Sequence, residues 1–194
     1  MPYGRLDQSL YLGPYASVEA INTTTLYKPG ELGSQFQSGS KAYQLIQLDS
    51  GATSATGAGT PVCGHVAFWK SRANYIVTND KAQAEGANCS AVAGVFCSLT
   101  SGAAGTASIT AGNYGVIQQR GTHVGILTNG SAAAASDQLC ATVAATSATA
   151  AVTKVSVGTA PTSTIVGIAT AATSAVTTNY TPARLGGWDL VDQP

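Results

Sequence analysis

The one pair of residues whose types and spacing point to catalysis is Cys63 and His65, in the run VCGHVAFW (62–69). Residues two apart on a β-strand project from the same face, so this thiol and imidazole could act as nucleophile and base. Hydrolysis also needs a group that orients the base, and the chain has no G-x-S-x-G elbow, P-loop or dinucleotide-binding fingerprint. An ordinary strand is the favoured interpretation, and a hydrolase that uses this pair remains an alternative.

Acidic residues offer little material for acid–base chemistry. The chain has nine of them, few for a carboxylate pair of the kind that cleaves glycosides, and no calcium loop of alternating acids. Six acids mostly lie beside turn residues, where a carboxylate caps the backbone or stays in water, and these are Asp49, Asp80, Glu85, Asp137, Asp189 and Asp192. No catalytic residue is predicted among them.

Cysteine and histidine spacings do not indicate a metal site. The four cysteines are Cys63, Cys89, Cys97 and Cys140. None belongs to a C-x-x-C pair, and His65 and His123 do not complete a zinc-ligand spacing. Because a free cysteine behaves as a small hydrophobic residue, buried thiols in a reducing cytoplasm are expected. The sequence predicts no metal and no cofactor.

From about residue 31 the chain is predicted to be all-β. Short β-branched and apolar runs, bounded by Gly, Ser, Thr, Asn or Pro, cover 42–48, 62–69, 74–78, 91–99, 115–119, 123–128, 150–157, 163–170 and 183–191. Their spacing is too short for βαβ crossovers and predicts an antiparallel β-barrel or sandwich-like body. The alanine-rich stretch 131–145 leaves a short helix open. Leu185, Trp188 and Leu190 are expected to close the core.

A possible internal duplication divides the body into residues 31–120 and 121–190. Three segments have echoes in the same chain order: AYQLIQLDSGA with THVGILTNGSA, AVAGVFCSLTSG with TIVGIATAATS, and ITAGNYGVIQQRG with AVTTNYTPARLGG. Gly94 and Gly167 interrupt matching apolar runs, which indicates a bulge or a close backbone approach at each. Asn113–Gly115 and Asn129–Gly130 are predicted to be turns.

Residues 1–30 are predicted to form an extended N-terminal arm, distinct from the body at 31–194. Apolar residues in this segment keep neither a helical nor a strand period, and it carries half of the eight tyrosines. Disordered tails are poor in aromatic residues, so an arm that docks on a neighbouring subunit fits better. The candidate interface residues are Tyr3, Arg5, Leu6, Leu10, Tyr11, Leu12, Tyr15 and Tyr27.

The charge content favours an assembly component. Charged residues make up 9%, against roughly 25% in ordinary soluble domains, and the formal net charge is zero. Low net charge protects poorly against self-association. The nine basic residues are scattered, so no nucleic-acid partner is expected. No apolar run is long enough for a membrane span, and the N-terminal residues lack the pattern of a secretory signal, so synthesis in a host cytoplasm is expected.

The body resembles the small β-rich decoration (cement) proteins of tailed phages. The resemblance rests on GELGSQFQSGSKAYQLIQLDSGA (30–52), AVAGVFCSLTSG (91–102), ITAGNYGVIQQRGTHVGIL (109–127), AAAASDQLC (132–140) and STIVGIAT (163–170). It implies a structural, non-enzymatic virion protein on the capsid surface, whose partners are the major capsid protein and itself, as a homotrimer or a dimer, with the trimer favoured. A head-fibre base or tail component and an exported carbohydrate-binding or surface module remain alternatives.

Overall fold

The computed structural model describes residues 21–25, 32–51, 61–85, 91–98, 103–106, 108–128, 132–141, 152–155, 164–174 and 179–186. Within these residues the protein is all-β, which confirms the predicted fold class. The strands are β1 (Asn22–Thr23), β2 (Gln35–Ser38), β3 (Lys41–Leu48), β4 (Val66–Ser71), β5 (Ile76–Thr78), β6 (Val92–Phe96), β7 (Tyr114–Thr128), β8 (Gln138–Ala141), β9 (Val152–Val155), β10 (Ile165–Ala169) and β11 (Asn179–Leu185).

Five strands close into a ring that we call the first barrel. Strand β3 pairs with residues 114–120 of β7, this part of β7 with β6, β6 with β4, β4 with β5, and β5 with β3 again. The closing β5–β3 pair is parallel, and the other four pairs are antiparallel. Strand β2 lies beside β3, and β1 lies beside β7, outside the ring.

The remaining strands close a second barrel with the same order of connections. Residues 121–128 of β7 pair with β11, β11 with β10, β10 with β8, β8 with β9, and β9 with β7 again. The closing pair is again the parallel one. The second half of β7 therefore takes the place that β3 has in the first barrel, and the long strand belongs to both rings.

Matching sequence segments occupy equivalent places in the two barrels. A Cβ on Gly94 would lie 2.7 Å from the carbonyl oxygen of Gln118, and a Cβ on Gly167 would lie 2.8 Å from that of Arg184. The first contact joins β6 to β7 and the second joins β10 to β11, which are equivalent strand pairs of the two barrels. Both contacts confirm the predicted close backbone approach. The origin of this repeat by duplication stays a prediction.

Two faces of β4 and β6 take part in different cores. Inside the first barrel, Ala67, Trp69 and Phe96 pack with Ile46 and other residues of the ring. On the outer face of the same strands, four buried apolar residues pack instead against the core of the second barrel, and these are Val66, Phe68, Val92 and Val95. The second barrel contributes Ile126, Leu139, Val166 and Leu185 to this shared core. The barrels are therefore joined by packing as well as by β7.

Three local predictions are corrected. Residues 62–65 precede β4 and do not form part of it, because the chain turns at residues 63 and 64, where Gly64 adopts a φ of 98°. Tyr114 and Gly115 begin β7, so the predicted turn at 113–115 is wrong. The alanine-rich stretch carries β8 instead of a helix, since Leu139 and Ala141 are core residues of the second barrel. Residues 131 and 142–145 of this stretch lie outside the described residues.

Candidate functional site

The thiol of Cys63 lies beside His123, which is sixty residues away in the chain, and the predicted pairing of Cys63 with His65 on one strand face is wrong. The distance from Cys63 Sγ to His123 Nε2 is 3.9 Å. The turn at 62–65 crosses β7 closely, because Gly64 donates a backbone hydrogen bond to Phe96 and accepts one from Leu127. A Cβ on Gly64 would collide with the carbonyl oxygen of Gly125.

Both ring nitrogens of His123 are engaged with the backbone. The Gly125 amide donates to Nδ1 at 3.2 Å, so Nδ1 carries the lone pair and Nε2 carries the proton. Nε2 lies 3.2 Å from the carbonyl oxygen of Phe96 and donates to it. Because the basic nitrogen already accepts a hydrogen bond, the imidazole is not arranged to take a proton from Cys63. The side chain instead joins β7 to the end of β6.

A tyrosine from the second barrel covers this junction. The ring of Tyr180 lies over two glycines, since a Cβ on Gly64 would be 2.8 Å from Tyr180 Cδ1 and one on Gly105 would be 3.1 Å from Cε2. Burial, and secondarily the nearby Cys63, raise the pKa of the phenol. Cys63 itself is only 2% exposed, so a substrate could reach the thiol only after local opening. Cys63, His123 and Tyr180 therefore form a buried contact between the two barrels.

His65 occupies a separate buried place before β4. Burial lowers the pKa of this imidazole from 6.5 to about 4, so the side chain is neutral at pH 7. Its Nδ1 atom is buried and has no hydrogen-bond partner among the described residues. The prediction of buried thiols is confirmed for Cys63, Cys97 and Cys140, while Cys89 lies outside the described residues.

Residues 21–25 are the described part of the predicted arm, and within them residues 21–23 form a segment that we call the anchor. Ile21 is buried with Val116 and Leu45 in a small outer core. Asn22 and Thr23 pair with β7 opposite Gly115 and Tyr114. A Cβ on Gly115 would lie 2.7 Å from the carbonyl oxygen of Ile21, so a side chain there would push the anchor away.

Asn22 fixes the anchor through three side-chain hydrogen bonds. Its Oδ1 accepts from the amide nitrogen of Thr110 at 3.1 Å and from Nδ2 of Asn113 at 2.7 Å. Its own Nδ2 donates to Thr110 Oγ1 at 3.1 Å. Asn22 could not be identified from the sequence, because its partners are about ninety positions away and no local pattern connects them. All eight candidate interface residues of the arm lie outside the described residues.

The described residues contain no cluster of three or more His, Cys, Asp or Glu side chains that could hold a metal ion. In the same part of the chain, no helix has the length and apolar character that crossing a membrane requires. No protein-family model matches the chain, and no curated protein is significantly similar to it. The anchor and the surface of the double barrel are thus the features on which a function can be argued.

Proposed function

We propose that this protein is a structural component of a tailed-phage particle, which binds the outer surface of the capsid and cements neighbouring major capsid subunits. The observation that carries the proposal is the anchor. It fixes residue 21 to a rigid double barrel directly after a segment rich in tyrosine and leucine. A segment attached in this way holds whatever it binds at a defined place on the body.

The energetics of adhesion suit such a segment. Residues 1–20, if extended, span at most about 70 Å, which is enough to reach a neighbouring subunit. Burying roughly 300 Å² of apolar surface contributes about 7 kcal/mol before the cost of ordering the segment. Several such segments on one oligomer bind far more tightly than one, because each later contact forms at high effective concentration. Tyr3, Tyr11 and Tyr15 are the residues that we expect to contribute most.

The body supports the proposal in a second way. Both barrels are closed rings, so most strand edges of the described residues are paired and cannot recruit other chains indiscriminately. Nine basic and nine acidic residues leave no net charge to repel a crowded surface lattice. A protein with these properties can be packed at high density on a particle without general aggregation.

The test compares the full chain with a variant that lacks residues 1–20 and keeps the anchor. Both are mixed with expanded, undecorated capsids of the phage that encodes the chain, and the bound protein is quantified by sedimentation. We expect the full chain to saturate the capsid and the truncated chain to be lost from the pellet, while its circular dichroism and melting temperature stay those of the full chain. Full occupancy by the truncated chain would refute the role of the segment.

Electron microscopy of complete particles separates this proposal from its closest rivals. Decoration places many regularly spaced copies over the capsid, whereas a fibre base or a tail component is confined to a few positions. Density for this protein at the tail or at isolated fibres alone would contradict the proposal. An exported module would be missing from purified particles altogether.

A further inference from the structure

The second barrel leaves open a face that is buried in the first. In the first barrel a row of paired residues crosses three strands, with Val66 opposite Val95 and Val95 opposite Gln118. All three are buried, and the two valines pack against the second barrel. A lone barrel of this kind would expose that apolar row to water.

The equivalent row in the second barrel has Gln138 opposite Ile168 and Ile168 opposite Arg184. Ile168 is 36% exposed, although its counterpart Val95 is completely buried. Val124, on the neighbouring strand β7, is 44% exposed. We call this surface the open face and define it by Val124, Gln138, Ile168 and Arg184. It holds two of the three large hydrophobic residues that are exposed among the described residues.

The polar residues of the open face are complementary to each other across Ile168. The Oε1 atom of Gln138 is buried and has no hydrogen-bond partner among the described residues, which is unfavourable for the chain on its own. Arg184, on the other side of Ile168, is exposed and carries five N–H donors. Adjacent strands are about 4.8 Å apart, so the acceptor and the donor flank the apolar centre at similar distances. The row therefore reads amide, apolar residue, guanidinium, and it presents an acceptor at one end once the amide rotates outward.

We propose that the open face binds the open face of a second copy of this chain about a twofold axis through Ile168. A row with an acceptor at one end and a donor at the other is complementary to itself about a twofold axis that runs along the strands. The axis reverses the order of the row, so the acceptor of each copy lies opposite the donor of the other copy. The two Ile168 side chains meet at the centre. Each Arg184 guanidinium donates to the Gln138 amide oxygen of the other copy, after rotation of that amide towards the interface.

The neutral charge of the chain removes the main electrostatic barrier to such a contact. The open face of the second barrel would then be buried against another copy, as the equivalent face of the first barrel is buried against the second barrel of the same chain. This inference goes beyond capsid binding, since it concerns the protein alone in solution. It predicts a dimer, whereas the resemblance to decoration proteins favours a trimer.

The test is the mass of the full-length protein by light scattering and sedimentation equilibrium, over roughly 1 to 100 µM. We expect twice the 19.4 kDa of one chain. Ile168→Asp should give a monomer, because it buries two carboxylates at the centre of the interface. Gln37→Asp adds the same charge to an exposed position on β2 of the first barrel and should leave the dimer intact.

A second pair of variants tests the exchange of hydrogen bonds. Gln138→Glu should tighten the dimer roughly tenfold, because each Arg184 then meets a carboxylate, and Arg184→Glu should weaken it by a similar factor. Circular dichroism checks that each variant is folded. If Ile168→Asp does not fold, the dimer is tested with Arg184→Glu, because that residue is exposed. The inference is overturned if the wild-type protein is a monomer, if a trimer forms, if Ile168→Asp and Arg184→Glu leave the dimer unchanged, or if Gln37→Asp dissociates it equally.

Loss of capsid binding by the chain that lacks residues 1–20 bears on the proposed function alone, since the mass measurements above are made without capsids. A wild-type monomer in which Ile168→Asp abolishes only capsid binding would assign the open face to the capsid and overturn the dimer. A wild-type monomer that dimerises after removal of residues 1–20 would show that the N-terminal segment covers the face in the same chain, which also overturns it.

Discussion

The side-chain amides of Asn22 and Asn113 are joined by a hydrogen bond of 2.7 Å, and this contact fastens the N-terminal segment to the turn that precedes β7. Because Asn22 also bonds to Thr110, one side chain holds two positions of that turn. A residue of the chain's N-terminal part is thus fixed to its middle by polar contacts as well as by strand pairing.

Asn22→Ala should lower the free energy of unfolding by about 1–2 kcal/mol, because it leaves Asn113 and the Thr110 amide without this partner. It should also speed proteolytic cleavage near residue 21, since the anchor then opens more often. Chemical denaturation and limited proteolysis measure the two effects. Asn74→Ala is the matched control, because Asn74 bonds only to nearby Ser71 at an exposed turn. Equal cleavage rates for the two variants would show that Asn22 does not hold the anchor.

Gly94→Ala and Gly167→Ala should each destabilise the protein by about 2–4 kcal/mol, and by similar amounts. In both, the new methyl group meets a backbone carbonyl of the next strand at 2.7 or 2.8 Å, a contact that only a shift of the strand can relieve. Gly39→Ala is the control, because no atom lies within 4 Å of a Cβ at that position and the cost is confined to a φ of 60°. Denaturant unfolding compares the three variants, and a cost at Gly94 no larger than that at Gly39 would contradict the close approach.

The protein should lose stability on acidification between pH 6.5 and pH 4 because of His65. Its pKa in the folded protein is about 4, below the unfolded value of 6.5, so the unfolded chain binds the proton more readily. The contribution of His65 to the free energy of unfolding is therefore fully present above pH 6.5. It is lost as the pH drops towards 4, which lowers the free energy of unfolding by about 3 kcal/mol. Denaturant unfolding of wild type and His65→Gln at pH 7 and pH 4 gives the difference. An identical pH dependence in the two proteins would exclude His65 as the cause.

The thiols of Cys63, Cys97 and Cys140 should resist modification in the native protein, because all three are buried. A Cys89→Ser variant removes the remaining cysteine and allows these three to be counted. We expect slow reaction with an aromatic disulfide reagent in buffer, and rapid reaction of three thiols in denaturant. Rapid reaction of one thiol in the folded variant would place it at a surface and reopen a chemical role for it.

Strand positions are largely predictable from this sequence, whereas the joining of strands is not. The run AYQLIQL, for example, is predicted as a strand from its apolar residues and forms most of β3. The single strand β7 is predicted as two, because Gly121 separates its halves and glycine usually ends a strand. Here Gly121 takes a φ of 91° and lies so close to Ser40 that only glycine fits, so the strand bends without ending.

The contacts of the candidate site depend on the closed rings. Cys63 meets His123 and Asn22 meets Asn113 because β7 is shared by both barrels and brings distant parts of the chain to its two sides. Sequence spacing reports neighbours on one strand and gives no sign of such distant pairs. The exposure of Ile168 could not be predicted from the sequence either, since its run STIVGIAT is as apolar as the run that contains its buried counterpart Val95.

Strand β7 also determines how the molecule carries mechanical load. A pull on the N-terminus acts first on β1, which is paired with the beginning of β7, and β7 passes the force along fifteen residues to the strands on both sides of it. That path exists only while β1 stays paired, and the pairing of β1 with β7 comprises two residue pairs. A pull from residue 21 should therefore detach β1 at low force and leave the longer pairings of β7 with β3 and β11 intact.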